Sequence, residues 1–208
     1  KIKSFLLVPY MIWIILFIIV PIAMIFYASL LDIHGHFSLE NYTNFFTSSY
    51  LKMTLSSVWY AILITFFCLL VSYPLALALK SARHKEILLL LIILPTWINL
   101  LLKTYAFIGI FSHDGLLNKM LNIFHVPSTD LLFTSTAFII VSVYIYIPFM
   151  LLPIFNAMEE IPENLIQASR DLGANHITTF RKVIMPLTYE GVKTGIQITF
   201  IPALSLFI

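Results

Sequence analysis

Cysteine, glycine and charge are all scarce in this 208-residue chain. The single cysteine, Cys68, lies in an apolar run, so no internal disulfide can form and redox compartment cannot be read from it. Charged side chains make up 11% of the residues, against roughly 25% in soluble domains. The net charge is only +2, with no basic tail or patch, which excludes a nucleic-acid surface. The usual catalytic and nucleotide motifs are missing too. There is no G-x-x-x-x-G-K-[ST] phosphate cradle, no H-E-x-x-H, no G-x-S-x-G and no Cys/His cluster. His34 and His36 share a short polar loop without a third or fourth metal ligand, and they read as solvated loop residues.

Apolar surface is what the chain has in excess: 60% of its residues are hydrophobic and 15% aromatic, and its mean hydropathy is +0.96. A water-soluble globule of this length could not bury so much, and so hydrophobic a chain is not disordered. The pattern therefore predicts an all-α fold, a polytopic transmembrane helix bundle. A lipid core takes about 20 apolar helical residues. Five runs qualify: Phe5–Leu31, Leu55–Leu79, Ile87–Phe111, Thr134–Met158 and Gly191–Ile208, the last only just long enough. The first is longer than a signal peptide's apolar region and has no small-residue cleavage site, so it reads as a retained anchor. No internal repeat is visible.

Basic residues orient these runs. Lys1, Lys3, Lys80, Arg83, Lys85, Arg170, Arg181 and Lys182 fall in one set of connections, with Lys193 close by, whereas the other set holds only Lys52 and Lys119. The positive-inside rule then predicts a cytoplasmic N-terminus, cytoplasmic loops 80–86 and 159–190, and outer loops 32–54 and 112–133. Lys103 falls near the outer end of the third run, where its stem would snorkel. Prolines 21, 74, 95, 148, 153 and 202 punctuate the spans and are expected to kink or interrupt them. None of the ten acidic residues lies in mid-span. That argues against an ion-driven carrier working through a buried carboxylate, and against intramembrane proteolysis by paired aspartates.

The loop between the fourth and fifth runs carries the strongest local signal. Pro162 suits a first helical position, and Glu159, Glu160 and Glu163 suit a helix N-terminus. Leu165, Ala168, Ser169 and Leu172 share a face at helical spacing, and Gly173 supplies a residue able to close the helix at positive φ. A second short helix is expected from about residue 175 to 183, with Arg181 and Lys182 at its C-terminus and Pro186 stopping it. The result is a helix–glycine turn–helix hairpin whose small residues let another backbone approach. An amphipathic hairpin lying on lipid is the plainer alternative.

This hairpin resembles the EAA loop of the permease subunits of binding-protein-dependent ATP-binding-cassette importers. That pattern reads Glu-Ala-Ala, three residues, Gly, nine residues, then Ile-x-Leu-Pro; here it is matched by Gln167-Ala168-Ser169, Gly173 and Val183-Ile184-Met185-Pro186. Gln167 stands in place of the glutamate and Ser169 in place of the second alanine. Further stretches are similar to the polyamine permeases of this family: Ser72–Ala76, Leu94–Leu101, Asp114–Asn118, Tyr144–Met150 and Ser169–Ala174, with Leu7-Val8-Pro9 and Val20-Pro21 near the start.

The resemblance implies a single permease domain over residues 1–208 in the bacterial cytoplasmic membrane, with a coupling loop at 159–188. It implies six spans, so the last is expected to be missing from these residues. It also implies a non-enzymatic transport subunit that binds no cofactor itself. ATP and Mg²⁺ would sit in a separate ATPase pair, a second permease subunit would complete the pathway, and an external binding protein would deliver spermidine or putrescine. The coupling residues carried over are Gln167, Ala168, Ser169, Arg170, Asp171, Leu172, Gly173, Ala174 and Pro186, with 163–174 as the coupling helix. A polycation path wants aromatic faces and oxygens; Tyr73, Trp97, Asn99, Asp114, Tyr144 and Tyr146 are the candidates. The same loop would serve a relative handling a phosphonate, ferric iron or an opine.

Overall fold

The computed structural model describes residues 2–32, 34–125 and 127–206, with the backbone alone for 2–6. Lys1, Phe207 and Ile208, which entered the expected orientation and fifth span, lie outside the described residues. The described chain is helical, with no strand and one isolated bridge between Leu31 and Phe37. It divides into two compact units, residues 1–55 and 56–208.

The first unit opens with α1 (Ile2–Ile14), a π turn (Ile15–Ile19) and α2 (Val20–Ser29). Residues 7–29 form one continuous apolar stretch with no buried residue, which suits a helix solvated by lipid on every side. The π turn just precedes Pro21, whose ring would crowd the carbonyl four residues back and whose nitrogen has no proton to offer it. A wider turn relieves both problems. After α2 the chain doubles back: Asn41 Nδ2 donates to Ser29 O (3.1 Å) and Leu31 O (2.8 Å), and Asp32 Oδ1 accepts from the backbone N–H groups of His34 and His36. A short α3 (Glu40–Phe45) follows, and then α4 (Ser48–Lys80).

In the second unit α4 lies parallel to α8 (Ser135–Glu159) at a constant offset of 75 residues. Tyr60 OH meets Ser135 Oγ at 2.7 Å, Cys68 Sγ donates to Val143 O at 3.7 Å, and Ser72 Oγ donates to Ile147 O at 3.4 Å. The buried stripe of α4 recurs every three or four residues through Ser57, Ala61, Ile64, Cys68, Ser72, Ala76 and Leu79. Most of these are small, which is how membrane helices come close without a hydrophobic driving force between them. From α8 the core takes Tyr146, Met150, Leu151, Ile154, Phe155 and Met158.

The last described helix, α12 (Tyr189–Ser205), packs antiparallel on α8. A Cβ built on Gly191 would stand 2.5 Å from Ala157 Cβ and 2.6 Å from Pro153 O, and one on Gly195 would meet Met150. Only glycine permits this approach at 191. One turn beyond Gly195, the buried Thr199 Oγ1 has no hydrogen-bond partner among the described residues.

The expected third span is not a single rod. Helix α5 (Lys85–Ile93) runs into a 3₁₀ turn at Leu94–Trp97, Ile98 is extended, and α6 (Leu100–Phe111) opens a second arm, Leu100–Ile123, that lies at 97° to the first, Lys85–Trp97. Pro95 ends the first arm, and Asn99 starts the second by accepting from Leu101 N at 2.8 Å. Lys103 therefore sits below a bend rather than at a span's end. It lines a cavity of about 280 Å³ with Pro95, Thr96, Tyr144 and Pro148. The other prolines behave differently: Pro74, Pro148, Pro153 and Pro202 are carried inside continuous helices.

Of the five expected spans, those in residues 7–29, 48–80 and 135–159 are single helices long and apolar enough to cross a membrane. The bent pair makes a fourth if it is counted as one. The fifth corresponds to α12 (Tyr189–Ser205), whose 17 helical residues fall short of about 20. Beyond α6, α7 (Leu116–Ile123) is held by the buried Asn118, which donates to Ser112 O and Thr129 O and accepts from Thr129 N.

Candidate functional site

The connection between α8 and α12 folds as a compact hairpin. Helix α9 (Glu163–Asp171) starts behind Pro162, with Glu163 in its first turn and Arg170 in its last, both complementing the helix dipole. It ends at Gly173, which takes φ +80°. Ala174 N donates back to Ser169 O (3.1 Å) and Gly173 N to Arg170 O (2.8 Å), the paired 6→1 and 5→2 bonds that a left-handed residue closes. Asn175 then caps α10 (His176–Thr179) through Thr178 N at 2.8 Å.

The chain does not stop at Pro186 as expected. It passes through a π turn (Phe180–Ile184) into α11 (Met185–Leu187), with Pro186 in its first turn. The device is the one seen before Pro21: the wide turn absorbs the proline, and the helix goes on. Thr188, fully buried, closes α11 by donating to Ile184 O at 2.9 Å.

The hairpin has an inner and an outer face. Ile166 and Ser169 turn inward, and Ser169 Oγ meets the buried Thr179 Oγ1 at 2.8 Å. Leu165, Gln167, Ala168, Arg170, Asp171, Leu172 and Gly173 face outward, with Leu172 89% exposed, while Ala174 is half-buried. Ser169 thus departs from the single face that helical spacing predicted. The space outside Gly173 is open, since a Cβ there would meet nothing within 4 Å. Glycine is required there by its backbone conformation alone. Leu165 and Leu172 thus stand exposed beside an open glycine in a turn closed by its own hydrogen bonds.

The six candidate path residues are not gathered in one place. Tyr73 belongs to the hairpin: its OH meets Thr188 Oγ1 at 2.8 Å, and its ring stands edge-on to Phe180 at 5.7 Å. Tyr144 stacks edge-on to Phe107 at 5.1 Å and lines the cavity below the bend. Tyr146 is buried in the core. Trp97 is 86% exposed on the turn of the bend, and Asn99 serves as the cap of α6. Asp114 is exposed in the turn ahead of α7. A larger cavity of about 590 Å³, lined mainly by apolar groups including Phe107, Phe111 and Phe138, lies between α6 and α8.

Sequence reading missed what ties the hairpin to the bundle. Lys80, counted there only as a positive charge, donates to Met158 O (2.6 Å) and Ile161 O (3.2 Å), and Lys85 pairs with Glu159. A lysine at each end of the turn between α4 and α5, and an acid at the end of α8, were the signals available for these links.

No family model matches the chain. It is 36% identical over 205 residues to the spermidine/putrescine transport system permease protein PotB of Escherichia coli (strain K12), an alignment covering 94% of this chain and 74% of the relative. The chain belongs to the PotB family of permeases. Among solved structures, the fold matches a bacterial ABC transporter involved in the import of the acidic polysaccharide alginate, at a TM-score of 0.75 and 16% identity, covering 99% of this chain and 74% of the other. The alginate transporter in complex with its alginate pentasaccharide-bound periplasmic protein matches at 0.72 and 16% identity, covering 92% and 68%. This PotB-family chain is therefore a multi-pass membrane permease of an ABC importer, a transport subunit with the importer fold.

Proposed function

We propose that this PotB-family permease carries polyamines, spermidine or putrescine, inward across the bacterial cytoplasmic membrane by alternating access, driven by ATP hydrolysis in a separate subunit. The α9 hairpin is the coupling element, with Gln167 to Ala174 and Pro186 as its working residues. The observation that carries the reading is the outer face of α9. It presents Leu165, Ala168 and Leu172 beside a Gly173 turn closed by its own hydrogen bonds, with open space around it. A rigid, small-surfaced turn transmits a push without absorbing it. The N-terminus and this hairpin lie in the cytoplasm, as the basic loops favour. A PotA-like ATPase pair, which binds the ATP and Mg²⁺, docks there. A PotC-like second permease completes the pathway, and a PotD-like polyamine-binding protein delivers substrate on the outer side. The substrate reading is supported by the named substrates of the relative and by Trp97 and Tyr144 near the Pro95 bend, whose aromatic faces suit a flexible polycation.

The test is uptake of radiolabelled spermidine and putrescine into proteoliposomes holding the full-length protein with its partner permease, ATPase pair and binding protein. Uptake that needs both internal ATP and the binding protein is the expected result. ATP hydrolysis that responds to this subunit without polyamine uptake would retain the importer and discard the polyamine. Uptake by this chain alone, indifferent to ATP, would overturn the proposal.

A further inference from the structure

Pro162 leaves the end of α8 with carbonyls that the helix cannot satisfy. The partner four residues beyond Met158 O would be the nitrogen of Pro162, which carries no proton. The partner of Ile161 O would be Leu165 N, which instead donates to Pro162 O at 3.1 Å. Turn-type bonds reach Met158 O from Ile161 N, at 3.3 Å, and from Glu160 N. The group that answers the shortage comes from another helix. Lys80, the last residue of α4, puts its ammonium 2.6 Å from Met158 O and 3.2 Å from Ile161 O. One cation thus bridges the last turn of α8 and the short linker that leads into α9. The backbone beneath it is fixed: Leu79, Met158 and Ile161 are all buried. A second, partly exposed link lies alongside, the ion pair of Lys85 at the start of α5 with Glu159.

A hairpin joined to its bundle by a free three-residue linker would move without moving the spans. Here the linker is pinned to α4 by charge-assisted hydrogen bonds, the strong kind. We infer that Lys80 is the positioning residue through which displacement of the α9 hairpin is passed to α4, so that α4 and α8 shift together rather than the linker flexing. The inference rests on the reading of α9 as the coupling element. Lys85–Glu159, exposed to screening, adds little by itself.

The test uses the complete importer in proteoliposomes, with polyamine uptake and ATP hydrolysis measured together. Lys80→Met keeps the stem and removes the donor. It is expected to retain ATP hydrolysis within about twofold while the amount transported per ATP falls roughly tenfold, the size expected for losing a charged hydrogen bond. Lys80→Arg, which can still bridge two carbonyls, is expected to restore the ratio. Spin labels at Ser81 and Asn164, in a Cys68→Ser background, give the second readout. In the parent the distance between them stays constant between the nucleotide-free and ATP-trapped states, and in Lys80→Met it broadens on trapping. An unchanged transport-to-ATP ratio, or the same distance distribution in both proteins, would overturn the inference. If Lys80→Met does not assemble, Lys80→Leu, which also lacks a donor, is measured in its place, and failure of both to assemble would assign Lys80 a folding role and overturn it as well. Gly173→Asp separates the two levels of argument. If it uncouples and Lys80→Met does not, the latch alone falls. If it leaves transport per ATP intact, the coupling reading falls first.

Discussion

Ser169 Oγ and Thr179 Oγ1 lie 2.8 Å apart, across a turn whose glycine stands between them in the chain. Thr179 is 3% exposed. This bond explains why a serine stands where the EAA pattern has its second alanine. The hydroxyl points into the hairpin and ties α9 to α10, and the outer face keeps the smooth surface of Ala168 and Gly173.

Substitutions at the two ends of that bond should differ according to whether a hydroxyl is kept. Thr179→Ser keeps a hydroxyl and should be tolerated. Ser169→Ala leaves the buried Thr179 hydroxyl short of a partner and should cost about 1–2 kcal/mol of hairpin stability. Amide hydrogen exchange at Gly173 and Ala174 measures it, and protection should fall by roughly tenfold.

Gly173 is constrained by its φ and not by neighbours, so substitution there acts in two separable ways. Gly173→Ala should cost only about 1–2 kcal/mol locally, the price of a left-handed alanine, with insertion preserved. Gly173→Asp adds bulk and charge on the proposed docking face and should abolish uptake at normal membrane levels of the protein. Immunoblotted membranes and the uptake assay, run side by side, separate loss of transport from loss of protein.

At Gly191 the constraint is the reverse, steric and internal. Gly191→Ala puts a methyl against Ala157 and the Pro153 carbonyl and should destabilise the α8–α12 pair by about 1–3 kcal/mol. The melting temperature in detergent should drop. Ala157→Gly should recover part of the loss by removing one of the two contacts, and no recovery would argue that the Pro153 carbonyl dominates.

Thr199 offers a stabilising change. Its hydroxyl is buried without a partner among the described residues, so Thr199→Val, of the same shape, should be neutral or gain up to about 1 kcal/mol. A clear loss of thermal stability, or of uptake at unchanged stability, would mean that the hydroxyl serves the pathway.

Cys68 is fully buried at the α4–α8 contact. A membrane-permeant maleimide should label it far more slowly in the folded protein than after denaturation. Cys68→Ser should preserve the contact by donating to the same carbonyl, and Cys68→Leu, larger than the gap, should cost roughly 1–3 kcal/mol.

Residue order by itself determined the features that depend on local chemistry. Long apolar runs name the membrane as solvent without regard to what the helices touch, because transfer into lipid is a property of each run alone. The α9 turn was legible for a similar reason. Pro162, Glu163 and Gly173 act on backbone groups within a few residues, so their spacing specifies the start and the end of that helix. The tertiary structure decided the rest. Whether a proline breaks a helix depends on its surroundings: Pro95 gives a 97° bend, Pro186 is absorbed by a π turn, and Pro74 passes within α4. Tyr73 meets Thr188 across 115 residues of chain. Lys80 finds its carbonyls 78 and 81 residues away. Contacts of that range leave no periodic trace in a sequence, because they are set by the register in which two helices pack, and that register follows from the small residues and carbonyls that meet only once the chain has folded.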